Sequence, residues 1–209
     1  MQTRQIERAW SDPDAVPASR SATISLTDAT EPRWTGIVDL APNETWRLAA
    51  HWRHDLYVLR GSAEAGGHAL VADDFLIRCD DTVVRAGEAG ARLLLYREAY
   101  DGECHPLLRP AATRTWRRGV NPRMQVATLA GGAQQVSLVA WQPDARTLEH
   151  GHARGEELFV LSGELRDGDQ RHPAGTWLRF HPGAVHAPFA EVPTTILLRH
   201  GHLSGDAKA

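Results

Sequence analysis

His150-Gly-His152-Ala-Arg-Gly-Glu156, with Gly163 seven residues further on and His186 closing Pro182-Gly183-Ala184-Val185-His186, decides the reading of this chain. Alternate residues of a strand share a face, so His150 and His152 can enter the same interior, and a short turn containing Gly155 leads to Glu156. The Pro-Gly turn returns a later strand and brings His186 to the same mouth. Three imidazoles and a carboxylate gathered this way form a mononuclear metal site in a β-barrel. An apolar interior does not hold such groups without something to offset their desolvation.

The rest of the chain supplies the strands. Short apolar runs alternate with Gly, Pro and Asp clusters over 34–40, 55–59, 74–77, 92–96, 125–129, 136–141, 157–161, 176–180 and 195–199. Short strands at regular intervals, without helical periodicity, predict an all-β barrel or sandwich. The pattern also repeats. Asp55-Leu-Tyr-Val-Leu-Arg-Gly61 matches Glu157-Leu-Phe-Val-Leu-Ser-Gly163 at an offset of 102, and 91–97 resembles 194–200 at about the same distance. Two similar halves are expected, 1–105 and 124–209. Between them 106–123, with three prolines and five arginines, reads as a surface linker.

Composition bounds the function. The net charge of −3 offers no basic field for nucleic acid, and no apolar run approaches the roughly 20 residues that cross a bilayer. Met1 to Trp10 lacks the apolar centre of a signal peptide, so a cytoplasmic protein is expected. Cys79 and Cys104 are the only cysteines, and their spacing indicates neither a disulfide framework nor a thiolate zinc knuckle. Any metal is then held by nitrogen and oxygen.

His150, His152, Glu156, Gly163, Gly183 and His186 fit the cupin pattern of H-x-H, glutamate, glycine and a later P-x-G-x-x-H. The closer pattern, carried by Gly155, Glu156, Glu157, Val160, Leu161, Gly163, Gly175, Trp177, Arg179, Pro182, Gly183, His186 and Pro188, resembles the ChrR-like cupins. That group is named for the cupin domain of a zinc anti-sigma factor and includes non-heme iron dioxygenases that split diketones and hydroxyketones. The resemblance covers roughly 140–200 and implies a double-stranded β-helix, or jelly-roll barrel, with the repeat extending it to two tandem barrels. The chain departs from the pattern at His181, where cupins have a proline, and at Ala190, where many have an asparagine. Neither change removes a ligand. In the N-terminal half Val84 stands opposite His186 and Ala49 opposite His150, so that barrel is expected to be degenerate, with His51, His54 and Asp55 as a surface remnant.

The expected ligands are therefore His150, His152, Glu156 and His186, holding one divalent ion per chain. Zn²⁺ and Fe²⁺ lead, and Mn²⁺, Ni²⁺ and Co²⁺ also suit imidazole and carboxylate. His200-Gly-His202 has the same spacing without the partners; 11 histidines in 209 residues produce about 0.6 such pairs by chance. Leu158, Val160 and Trp177 are expected at the substrate pocket, Trp177 there or in the core, with His181 at the mouth or exposed. Glu157, on the opposite parity to Glu156, is expected to face outward. Two functions fit: an oxygenase of a small oxygenated carbon compound, or a zinc-binding sensor related to the anti-sigma factor. The sequence leans to the enzyme. No cysteine or histidine lies in Met1 to Trp34 to make a sigma-binding zinc segment, so a sigma factor is not an expected partner. A small molecule and a second copy of the chain are the expected partners; nucleic acid and membrane are not.

Overall fold

The computed structural model describes residues 1–5, 21–100, 104–132 and 134–203. Part of the N-terminal segment read for targeting, residues 6–10, lies outside these, as does the chain end from 204. The described residues are all-β, with a single 3-10 turn at Ala111–Thr113. They fall into two compact units, one of Val16–Arg114 and one of Met1–Ala15 with Thr115–Ala209. No helix among the described residues is long and apolar enough to cross a membrane.

In the unit of Val16–Arg114, Trp52–Ala65 runs antiparallel to Thr82–Ala99, which in turn pairs with Arg33–Leu40. Leu56, Val58, Leu93 and Leu95 alternate with residues of the other face and join Trp34, Val38 and Val84 in one core cluster. Burying these side chains is the main source of stability, at roughly 1.5–3 kcal/mol for each large aliphatic residue.

The other unit has a seven-stranded sheet whose centre is Thr176–Phe180, Glu156–Ser162, Thr194–His200 and Gln135–Trp141, in that order. A four-stranded sheet contains Glu164–Asp167 and Phe189–Ala190. Leu158, Val160, Leu178, Phe180 and Ile196 from the first sheet and Leu165 and Ala190 from the second share one apolar core. The period of two explains the choice: Leu158, Val160, Leu178 and Phe180, at even positions of Glu156–Ser162 and Thr176–Phe180, enter that core, and Glu157, Phe159, Trp177 and Arg179 do not.

The repeat seen in the sequence recurs in backbone detail. Gly61 and Gly163 both have positive φ, +74° and +75°, beside a shift of register in their strand. A β-carbon at Gly61 would strike the Gly90 carbonyl, and one at Gly163 the Pro193 carbonyl. Asp73 and Gly175, also 102 residues apart, both have positive φ, and their N–H groups donate to the carbonyls of Val58 and Val160.

Three expectations need correction. Residues 106–123 are not wholly a loose linker: Leu107–Arg109 pairs with Phe75–Arg78 in one unit, and Arg117–Arg118 with Met124–Ala130 in the other. A disulfide joins Cys79 to Cys104 across a sequence separation of 25, a pairing invisible in spacing because the fold alone brings their Cα atoms to 6.2 Å. His51, His54 and Asp55 form no surface cluster. His51 is exposed, Asp55 is buried against Arg53, and His54, on the parity of Leu56 and Val58, is buried too. Val84 is buried in the apolar core, as its residue type requires, and Ala49 is exposed.

Candidate metal centre

His150 and His186 are directly opposed in the two-stranded pairing of His150–Gly151 with Val185–His186, their Nε2 atoms 3.2 Å apart. His152 and Glu156 flank a turn in which Gly155 has φ +61°, a left-handed conformation in which a β-carbon would also crowd the Phe180 carbonyl. The His152 carbonyl accepts N–H bonds from Gly155 at 3.0 Å and from Gly183 at 3.3 Å. One oxygen thereby ties the turn delivering Glu156 to the turn delivering His186.

Glu156 is buried, and its two carboxylate oxygens lie 3.0 Å from His152 Nε2 and 3.0 Å from His186 Nε2. The three histidines offer ligand atoms that all lie within 4.8 Å of one another, a group that could hold a metal ion. His150 Nδ1–H donates to the Leu148 carbonyl at 2.9 Å; a carbonyl can only accept, so Nε2 carries the free lone pair. The ring of His186 packs on Phe180, centroids 4.3 Å apart, which limits its rotation.

Electrostatics agree with a cation site. Burial pushes the His186 pKa down, outweighing the nearby Glu156 charge, and so keeps a neutral lone pair. The hydrogen bond with Glu156 raises that of His152: a proton shared by the two sits where a cation would. Glu156 Oε1 is buried and makes no hydrogen bond, although His186 Nε2 is near. Edges of about 3 Å also suit ligands roughly 2.1 Å from a common ion. The donor set, imidazole and carboxylate without thiolate, fits a divalent metal.

These groups line a cavity of about 720 Å³ within the unit of Thr115–Ala209 and Met1–Ala15. Of the residues expected there, only Leu158 lines it. Val160 is sealed in the core, and His181 is exposed. Trp177 has the wrong parity: it lies fully buried on the reverse face, its Nε1–H 3.4 Å from Glu157 Oε2.

Glu157 does point away from the site, yet it is fully buried rather than in water. Arg179 Nε–H donates to it at 2.6 Å, and His202 Nε2 lies 3.3 Å away. Burial would raise its pKa, but the His202 hydrogen bond and the charges of His202, Arg179 and Arg199 bring it down to about 2. The His200-Gly-His202 pair is thus split between faces. His200 lines the cavity and packs edge-on to His152 at 5.1 Å, its pKa lowered by burial and by that neighbour. His200 was missed as a site residue, although the alternation Ile196, Leu198, His200 already assigns it to the inner face.

Residues 108–204 match the sequence profile of the ChrR Cupin-like domain. Solved structures share the fold at low identity. A candidate dioxygenase from Nostoc punctiforme PCC 73102 superposes with a TM-score of 0.68 at 15% identity, covering 85% of this chain and 71% of that one. The Cupin 2 conserved barrel domain protein from Leptotrichia buccalis gives 0.64 at 13%, over 87% and 89%. The oxalate decarboxylase of Lactobacillus farciminis, in its formate complex, gives 0.68 at 11%, over 88% and 82%. No curated protein matches the sequence. The fold is that of the cupin superfamily, and residues 108–204 are similar to its ChrR-like branch.

Proposed function

We propose that this chain is a tandem cupin whose second unit holds one divalent metal through His150, His152, Glu156 and His186 and acts as a non-heme metal oxygenase on a ketone-type carbon compound. The observation that carries the reading is the placement of the Glu156 carboxylate 3.0 Å from two imidazole nitrogens, on the wall of a large cavity. When bound, the ion supplies Lewis acidity and, as iron, a site for dioxygen. The chain's residues do the rest. His150, fixed by the Leu148 carbonyl, and His186, fixed by Phe180, present preset nitrogens, and the cavity they line is walled largely by apolar side chains. The tandem reading is supported by the matched turns at Gly61 and Gly163; among the described residues the histidine group that could hold a metal lies in the second unit.

The zinc-sensor reading requires a closed four-ligand site, whereas a cavity at the ligands favours access by a small molecule. Nitric oxide added anaerobically to the Fe²⁺-loaded protein is expected to give a high-spin iron-nitrosyl signal that a β-diketone perturbs. Failure of both to reach a fully loaded site would sink the oxygenase reading and leave a structural or sensing metal. Residence in the cytoplasm and a homodimer are part of the same proposal; sedimentation equilibrium returning only the 23.0 kDa monomer would remove the dimer.

A further inference from the structure

We infer that the substrate is an amphiphile: an oxygen-bearing chelating head attached to an apolar body that fills the cavity and runs out through its mouth. The inference rests on the metal reading for the head alone; the body is argued from the chain's own walls. Met124, Val139, Trp141 and Ile196 line the cavity away from the histidines. A small diketone of seven heavy atoms leaves most of about 720 Å³ unfilled, whereas cavities of about 300–1,000 Å³ enclose drug-sized molecules.

The mouth continues the same surface. Val120 and Leu148 line the cavity yet are 88% and 89% exposed. Their exposure is built in. The Val120 loop is pinned by Gly119 N–H to the Met124 carbonyl at 2.9 Å and by Asn121 Nδ2–H to the Arg146 carbonyl at 3.0 Å. Two aliphatic side chains held in water at the rim of an apolar cavity gain when an apolar chain covers them. A compact polar acid such as oxalate has nothing to offer these walls, so the ligand class differs from that of the oxalate decarboxylase that shares the fold.

Calorimetric titration of acetylacetone, benzoylacetone and a hexyl-bearing β-diketone into zinc-loaded and metal-free protein tests this. Each buried methylene strengthens binding about fourfold, so the hexyl compound is expected to bind at least about a hundredfold more tightly than acetylacetone to the zinc form. Its heat-capacity change should also be more negative. In the Val120→Ser variant, changed at an exposed position away from the ligand supports, that gain should shrink about fivefold while acetylacetone affinity stays unchanged. No gain along the series, or a gain that the Val120→Ser variant leaves intact, overturns the inference while leaving the metal reading standing. The same chain-length gain with zinc making no difference to any compound supports the apolar site and overturns chelation.

Discussion

At the scale of single residues, the candidate centre depends on side chains whose neighbours prevent them from doing anything else. His150 is committed to one tautomer by the Leu148 carbonyl, and Glu156 Oε1 is buried without a hydrogen bond. His186→Ala is therefore expected to abolish stoichiometric metal binding and Glu156→Gln to weaken it at least about tenfold, since loss of one ligand or its support costs that order. His51→Ala, at an exposed position, should leave binding unchanged. Elemental analysis of dialysed protein checks all three, and loss of metal with the His51 change would refute the assignment to the second unit. His54 makes a different prediction. Burial and the Arg97 charge lower its pKa to about 4, so the folded state resists a proton that the unfolded chain accepts near 6.5. Its contribution to stability is complete above pH 6.5 and is lost as pH falls toward 4, by at most about 1.4 kcal/mol per pH unit. His54→Gln should flatten the melting temperature against pH in that window; an unchanged slope would show that His54 titrates normally.

At the scale of elements, alternation along three strands separates two chemistries. Glu156, Leu158, Leu178 and His200 face the cavity or its core, and Glu157, Trp177, Arg179 and Arg199 face the other way into a buried polar cluster. A one-residue slip would exchange the two sets, placing a guanidinium where Leu178 packs. The bend at Gly163 holds the register. Its φ of +75° and the Pro193 carbonyl leave no room for a β-carbon, so Gly163→Ala is expected to cost more than about 1 kcal/mol, the penalty of the conformation alone. Gly168→Ala, at φ +56° with open space around it, isolates the conformational part. Equal losses in urea unfolding would remove the steric argument.

For the whole molecule, the two units keep the same turn geometry and differ in what lies inside. The unit of Val16–Arg114 has a hydrophobic core cluster that contains Val84, at the repeat offset from His186 in the other unit. It also contains the Cys79–Cys104 disulfide. Closing 25 residues should stabilise that unit by roughly 3.5 kcal/mol in the chain-entropy account. Disulfides persist in oxidising compartments, so the pair bears directly on the cytoplasmic proposal. Alkylation of acid-quenched cells is expected to find both thiols reduced if the protein works in the cytoplasm, with the bond forming after lysis. Full protection from alkylation would move the protein to an oxidising compartment.

The sequence by itself determined the strand set, the offset of the repeat and the convergence of His150, His152, Glu156 and His186, because alternation and turn chemistry are local rules written in consecutive residues. Local rules also assign Glu157 to the face opposite Glu156, whereas the place of Trp177 on that face follows from the pairing of its strand with Glu156–Ser162. They do not tell whether that face meets water, and the structure buries it completely. The extent of the cavity, the use of Met124 and Trp141 as its walls and the meeting of Cys79 with Cys104 were decided by tertiary structure alone. Each depends on the distance between strands far apart in the chain, and no spacing within one strand encodes that distance.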